Sequence, residues 1–277
     1  MRRHRKLISK RKYTAPFAIW IVAGTVIPIL TIAYYGITNR SGAFTFENIT
    51  ATFNSQHLQA LGMSLLLSVV STVVCLVLAF PMALILRESR FGKQGFMIFV
   101  FILPMWMNFL LRTMAWQVLL ERQGVINSII TSIGLNRQEM MGTPGAVVLG
   151  MVYDFLPFMV LPIYNVVSKI DNRLIEAAYD LGAGKFYVFR RVIFPLSIPG
   201  IASGVTMVFI PALTTFVISN MLGGGKVNLI GNIIEQEFTV NSNWYLGSGL
   251  SLVMMVFIIV SMLIVQKFGD GEEDHLL

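Results

Sequence analysis

The residue types that most often carry chemistry are sparse in this sequence and form no catalytic pattern. The three histidines, His4, His57 and His275, are scattered, and none belongs to an H-E-x-x-H spacing, which places two imidazoles on one helix face to bind zinc. The single cysteine, Cys75, lies inside an apolar run, where a small buried side chain is more typical than a redox group. We therefore predict that the chain is not an enzyme and has no metal or cofactor of its own.

Two glycine-rich segments that end in lysine suggest a phosphate-binding loop at first sight: Gly182-Ala183-Gly184-Lys185 and Gly223-Gly224-Gly225-Lys226. A P-loop follows a buried strand and has Ser or Thr directly after its lysine to bind magnesium. Phe186 and Val227 occupy that position, and neither segment follows a strand pattern. We expect no nucleotide hydrolysis by this chain, so that any coupling to ATP requires a partner.

A few polar and aromatic residues inside long apolar stretches are candidates for a transport pathway. Asp154 is the clearest, because a carboxylate in a low-dielectric environment stabilises an ammonium group. Its alternative role is to pair within the helix bundle or at a subunit interface. The rings of Trp106 and Tyr153 attract cations, with simple packing as the alternative. Arg112 is expected near the outer membrane interface, where it screens the pathway or snorkels towards water.

The composition of the chain indicates that a bilayer surrounds these residues. Of the 277 residues, 55% are hydrophobic and only 13% are charged, whereas soluble domains average about 25% charged residues. The mean hydropathy of +0.72 exceeds what one soluble core of this length would bury. Soluble single-domain enzymes are therefore excluded, as are disordered and disulfide-stapled proteins.

Several apolar stretches are long enough to cross the membrane as helices, which takes about 20 residues. They lack the alternation of about 10 residues that β-barrel strands show, and prolines within them predict kinks. The first is expected to be a retained signal anchor, since its apolar core is longer than that of a signal peptide. The predicted fold class is an all-α membrane protein with six transmembrane helices: Phe17–Thr38, Leu61–Leu86, Phe96–Leu119, Ala146–Val167, Ile198–Asn220 and Leu246–Gln266.

The positive charge of the chain, +7 in total, is distributed as in a membrane protein with cytoplasmic termini. With the N-terminus inside, sixteen of the 21 Lys and Arg residues fall in inner segments, as the positive-inside rule requires. Because the basic residues lie next to apolar spans, their distribution argues against a nucleic-acid partner. The predicted organisation is a basic cytoplasmic N-terminus (1–16), a transmembrane domain (17–266) and a cytoplasmic tail (267–277).

The inner segment between the fourth and fifth predicted spans is too long and too apolar for a simple connection. It covers residues 169–197 and places Leu174, Ala178 and Leu181 at helical spacing. Gly182 offers a position where the chain can turn. We predict a pair of short surface helices here, which dock into a groove on a partner.

This segment resembles the EAA loop of the permeases of ATP-binding-cassette (ABC) importers. The family motif is E-A-A, three residues, Gly, nine residues and then I-x-L-P; Val192 and Phe194 replace its Ile and Leu, apolar for apolar. The resemblance implies that this loop couples the permease to a cytoplasmic ATPase. The implied coupling residues are Glu176, Ala177, Ala178, Asp180, Gly182 and Pro195.

The resemblance extends over residues 60–266. Three segments within this range are similar to permeases of spermidine and putrescine: ILPMWMNFLLRTMAWQVLL, YDFLPFMVLPIYNVV and ISNMLGGGKVNLIGNIIEQEF. It implies the type I importer fold in a bacterial cytoplasmic membrane and a homologous second permease. It also implies ATPase subunits that bind ATP and Mg, and an extracytoplasmic polyamine-binding protein. Alternatives that stay open are an importer of ferric iron, an anion or an osmolyte, a secondary transporter and, as the weakest, a membrane enzyme.

Overall fold

The computed structural model describes the backbone of residues 11–89 and 103–270 and the side chains of residues 16–89 and 103–267. These ranges are almost entirely helical, with one isolated antiparallel bridge between Thr38 and Phe44, which confirms the all-α class. Short π-helical turns at Val22–Val26 and Phe189–Ile193 interrupt two of the longer helices, and Ala51–Phe53 forms a 3-10 turn. The helices are α1 (Arg11–Ile21), α2 (Ile27–Gly36), α3 (Glu47–Thr50), α4 (Ser55–Glu88), α5 (Phe109–Leu120), α6 (Val125–Ser132), α7 (Pro144–Val167), α8 (Asn172–Asp180), α9 (Lys185–Val188), α10 (Phe194–Thr214), α11 (Val217–Leu222), α12 (Ile230–Thr239) and α13 (Trp244–Asp270).

Five of the six predicted spans are present as helices that are long and apolar enough to cross a membrane. The prolines inside them are accommodated without ending the helix, as at Pro81 in α4 and Pro157 in α7. Neighbouring helices can satisfy the backbone groups that such prolines leave free. The five helices are Pro16–Gly36, Ser55–Glu88, Pro144–Val167, Lys185–Thr214 and Trp244–Lys267.

The predicted third span, Phe96–Leu119, is interrupted within its described part. Residues 96–102 lie outside the described ranges. Residues 103–106 are helical, the helix is broken at Met107 and Asn108, and the next helix begins at Phe109. Asn108 caps it, because its Oδ1 accepts hydrogen bonds from the backbone N–H groups of Leu110 (2.8 Å) and Leu111 (3.4 Å). The count of six transmembrane helices therefore stays a prediction.

The fifth predicted span, Ile198–Asn220, has the wrong boundaries. The observed helix begins earlier, at Lys185, and ends at Thr214, after which Thr215 is extended with ψ 140°. The N-terminus of α12 approaches this break closely, since a Cβ on Gly231 would lie 2.8 Å from the carbonyl oxygen of Thr214. The helix therefore ends where the start of α12 packs against it, a contact that local apolar periodicity does not reveal.

The helices form two compact units, of which the first contains residues 11–55 and 234–256 of the described chain. Asn48 organises it by donating hydrogen bonds from Nδ2 to the carbonyl oxygens of Gly36 (3.2 Å) and Thr38 (2.9 Å). The backbone of α13 lies directly against this residue, because a Cβ on Gly249 would come within 2.6 Å of the carbonyl oxygen of Asn48. The C-terminal end of α2 and the N-terminal part of α13 are thereby held together.

The second unit contains the main apolar core, which is formed by residues of α4, α5, α7, α10 and α11. Helix α7 lies at its centre, with Met151, Met159 and Ile163 fully buried. Small residues let its neighbours approach, since a Cβ on Gly204 of α10 would lie 2.7 Å from Sδ of Met159. Cys75 is also fully buried, as its apolar surroundings predict. This packing fixes α7 rigidly among its neighbours.

Asn232 satisfies the backbone at the break between α10 and α11. Its Oδ1 accepts hydrogen bonds from the backbone N–H of Leu229 (2.9 Å) and from the hydroxyl of Ser219. Its Nδ2 donates to the carbonyl oxygen of Phe216 (3.1 Å) and to Oδ1 of Asn220 (2.6 Å). The side chain is almost fully buried, so no water replaces these bonds if it is removed.

We expect Asn232→Ala to lower the thermal midpoint of the detergent-purified protein by several degrees. Each buried group left without a partner costs about 1–3 kcal/mol. Asn241→Ala is the matched control, because Asn241 is exposed and its Nδ2 donates only to the carboxylate of Glu237 (2.8 Å). Equal midpoints for the two variants would contradict the proposed role of Asn232.

Candidate functional site

The buried part of the candidate site is an ion pair between two helices of the second unit. Asp154 on α7 is 1% exposed, and its Oδ1 lies 3.4 Å from Nη1 of Arg112 on α5, which is 7% exposed. The hydroxyl of Thr113 lies 3.3 Å from Oδ2 of Asp154 and 3.1 Å from the carbonyl oxygen of Phe109, so it shares one proton between two acceptors. Opposite charges in such a low-dielectric position attract strongly.

The hydrogen-bonding capacity of this pair is only partly used. Nε and Nη1 of Arg112 and Oδ1 of Asp154 are buried without a hydrogen-bond partner. The pair is therefore held by charge attraction rather than by a bidentate hydrogen-bonded geometry, which is the stronger arrangement. Chemically, such a pair can hold α5 against α7, and its open acceptor can receive another donor such as an ammonium group.

The side chain of Arg112 is buried and paired, which does not fit the snorkelling role favoured for it. The residue was expected near the outer interface, where snorkelling was its favoured role, but its side chain turns into the bundle and meets Asp154. A buried arginine without a counter-charge is strongly unfavourable, and Asp154 supplies that charge. In this structure Asp154 has the paired arrangement, which was one of its two predicted roles.

The aromatic candidates have surroundings that differ from those of the buried ion pair. Trp106 is 72% exposed, and Tyr153 packs edge-on against Trp116, with ring centroids 5.4 Å apart. Tyr153 and Trp116 line an apolar cavity of about 410 Å³ together with Val152 and Leu156. Asp154 is not among the residues that line this cavity. Tyr153 and Asp154, although adjacent on α7, therefore face different surroundings.

The exposed part of the candidate site is the loop with the EAA motif. Helix α8 begins where the carboxylate of Asp171 accepts a hydrogen bond from the backbone N–H of Arg173 (2.9 Å). It ends at Gly182, whose φ of +81° is the left-handed conformation that glycine favours. The N–H groups of Gly182 and Ala183 bond back to Tyr179 (2.8 Å) and Ala178 (3.1 Å), which completes a Schellman motif.

The predicted surface helix is therefore present, whereas its predicted partner helix is not a separate unit. Helix α9 continues through the π-helical turn into α10, and Pro195 lies in the first turn of α10. Glu176, Ala177 and Asp180 are exposed, and Ala178 is half-buried.

The loop also presents apolar surface to solvent. No side chain of α8 is buried in this chain. Exposed apolar patches of this kind mark interaction surfaces. We call the patch the coupling surface; its large apolar side chains are Leu174, Tyr179, Leu181, Phe186 and Tyr187.

Sequence reasoning missed several polar residues that shape these sites. Asp171 carries a readable signal, because Asp directly before a helical stretch is a typical N-cap. The pairing of Arg112 with Asp154 was also accessible in principle, since charges within spans tend to pair with each other. Nothing local in the sequence indicates the partners of Asn232.

Comparisons with known proteins agree on one family. The profile of the family described as "Binding-protein-dependent transport system inner membrane component" matches residues 64–270. The spermidine/putrescine transport system permease protein PotB of Haemophilus influenzae is 37% identical over 245 residues, which are 86% of this chain and 86% of the relative. PotB of Escherichia coli K12 is 34% identical and covers 88% of this chain and 92% of its own length.

The fold is shared with a solved transporter. A chain of a bacterial ABC transporter involved in the import of the acidic polysaccharide alginate superposes with a TM-score of 0.79. The two are 17% identical, and the match covers 95% of this chain and 96% of the other. This similarity confirms the predicted architecture of an ABC importer permease.

We expect Asp154→Asn and Arg112→Gln each to reduce the yield of assembled, folded protein. Each single change leaves the other charge buried without its partner, which costs about 3–5 kcal/mol. The double variant removes both charges and should recover the yield. The yield is measured by size-exclusion chromatography of the detergent-purified protein. The exposed pair Arg122 and Glu139, 4.0 Å apart, gives a matched control in which single neutral variants have little effect. Unchanged yields for the single variants of the buried pair would contradict its structural role.

Proposed function

Because the chain belongs to the family of binding-protein-dependent transport system inner membrane components, we propose that it is the permease subunit of an ATP-driven importer for spermidine and putrescine. Family members are transporter components in the bacterial inner membrane and not enzymes, so the alternatives of a membrane enzyme and a stand-alone secondary transporter are wrong. The identity of 37% with a spermidine/putrescine permease favours polyamines as the substrate over ferric iron, an anion or an osmolyte.

The proposed complex contains a homologous second permease, cytoplasmic ATPase subunits and an extracytoplasmic polyamine-binding protein. The ATPase subunits hold the ATP and Mg, since this chain has no P-loop. Two exposed apolar surfaces support the need for partners: the coupling surface, and the most apolar stretch of the first span, in which no residue is buried in this chain. Lipid and a second permease are the proposed neighbours of that span. Both termini and the coupling surface then face the cytoplasm.

The proposed coupling runs through α8. Closure of the ATPase pair on ATP moves the helices docked in its clefts, and α8 passes that movement to the spans. Gly182 sets the direction in which the chain leaves α8, because its left-handed conformation closes the Schellman turn. The proposed contact residues are those of the motif: Glu176, Ala177, Ala178, Asp180, Gly182 and Pro195.

The proposed substrate pathway includes Asp154. Polyamines are multiply cationic at neutral pH, and Oδ1 of Asp154 has no hydrogen-bond partner in this structure. An ammonium group that reaches it competes with Arg112 for the same carboxylate, so Arg112 takes part as the charge that is displaced. Tyr153 and Trp106 are proposed to offer their ring faces to the cation along the route.

The charge-neutral double variant of Asp154 and Arg112 tests this pathway. If Asp154 binds substrate, Asp154→Asn/Arg112→Gln assembles normally but stays defective in the uptake of labelled spermidine into proteoliposomes that contain the whole complex. Uptake that recovers together with assembly would mean that the carboxylate has a structural role alone.

We expect Gly182→Val to abolish the substrate-stimulated ATPase activity of the assembled complex. A side chain in the left-handed conformation costs about 1–2 kcal/mol, so α8 ends in a different geometry and loses its fit to the ATPase. Gly184→Val is the control, because Gly184 has φ −73° and open space around its Cβ position. Normal stimulation in a normally assembled Gly182→Val complex would rule out the coupling role.

We expect unlabelled spermidine and putrescine, but not an unrelated anion, to compete with labelled spermidine for uptake by the complex. The anion lacks the ammonium groups that Asp154 attracts. Inhibition by the anion alone would overturn the polyamine assignment and leave the importer assignment intact. The chain purified by itself should show no ATP hydrolysis. Measurable hydrolysis would contradict the assignment of this activity to the partner ATPase subunits.

A further inference from the structure

Arg87 makes a long-range contact that no part of the proposed mechanism has used. The residue lies in the last turn of α4, where a cation interacts favourably with the helix dipole. Its Nη2 donates hydrogen bonds to the carbonyl oxygen of Ile170 at 2.9 Å and to Oδ1 of Asn172 at 2.7 Å. Both distances are those of strong charge-assisted hydrogen bonds.

The two acceptors lie at the junction between the fourth span and α8. Ile170 follows the end of α7 at Val167, and Asn172 is the first residue of α8. The guanidinium of Arg87 therefore connects three elements: the end of α4, the segment after α7 and the start of α8. Asp171, between the two acceptors, caps α8 with its own carboxylate. The start of α8 is thus held both by its own N-cap, Asp171, and by the hydrogen bond from Arg87.

We propose that Arg87 is the positioning residue of α8, which ties this helix to the second span so that force on α8 moves α4 together with α7. The inference rests on the proposed coupling function of the loop. Since no side chain of α8 is buried in this chain, packing alone does not fix its orientation. The hydrogen bonds of Arg87 supply that constraint.

The guanidinium suits this geometry better than a lysine ammonium group does. Its Nη2 donates to two acceptors from different residues, and the planar fork of arginine holds its donors in fixed directions, whereas those of an ammonium group rotate. A lysine ammonium keeps the charge, and therefore the topological signal of an inner basic residue, but lacks this fork. Arg87→Lys consequently separates the positioning role from the role of charge in membrane orientation.

The test uses the complete importer, with its ATPase and binding protein, reconstituted in nanodiscs. We expect Arg87→Ala to leave basal ATPase activity within about twofold and to lower the substrate-stimulated kcat at least about fivefold, the lower end of typical coupling effects. The KM for ATP should not change, because the nucleotide site belongs to the partner. Arg87→Lys should restore only part of the stimulation.

Asn172→Ala tests the same contact without removing a charge, and it decides the matter if Arg87→Ala does not assemble. It should lower stimulation about two- to threefold, and the double variant should be no worse than Arg87→Ala, since residues that share one contact are not additive. Additive losses, full rescue by lysine, or normal stimulation in Asn172→Ala would each overturn the proposal. Arg122→Ala, at an exposed position, controls for the loss of one charge.

Gly182→Val in the same preparation separates this inference from the function on which it rests. If Gly182→Val abolishes stimulation while Arg87→Ala does not, Arg87 does not position α8, and the coupling function stands. If neither variant changes stimulation, the coupling function itself fails, and the inference fails with it.

Discussion

Lipid offers the protein backbone no hydrogen bonds, and the arrangement of this chain depends on how it meets that constraint wherever a helix is interrupted. Several interruptions and ends near the functional elements have a polar side chain that replaces the missing bonds. Asn108 caps α5, Asp171 caps α8, and Asn232 hydrogen-bonds the backbone at the break after α10. Arg87 binds a carbonyl oxygen beyond the end of α7. The helices can therefore stop and turn where transport requires it.

The buried pair of Arg112 and Asp154 follows from the same low dielectric. A charge in that environment needs a counter-charge, and the pair joins α5 to α7 through the attraction between them. The attraction is strong, but the hydrogen bonds are incomplete, so the pair differs from a fully satisfied structural salt bridge. The two proposed roles of the pair, holding the helices together and exchanging partners with a cationic substrate, both use the carboxylate of Asp154.

At the proposed cytoplasmic end, rigidity and exposure are combined in one short helix. Helix α8 buries none of its side chains in this chain, which leaves its surface available to a partner. Its two ends are nevertheless defined, by the Asp171 cap and the Arg87 contact at the start and by the turn at Gly182 at the end. A helix that is fixed at its ends and free along its surface is suited to pass a movement from a docked partner to the spans.

The sequence by itself determined the properties that depend on neighbouring residues. Apolar length identified five of the observed spans, and the loop with the EAA motif and its turn at Gly182 follow from residue types over a few positions. Tertiary structure alone decided the long-range polar contacts, since Arg87 lies 83 residues from Ile170 and Thr113 lies 41 residues from Asp154. Local periodicity carries no information about such pairs, because they form only when separate helices pack together and each buried polar group has to find a partner.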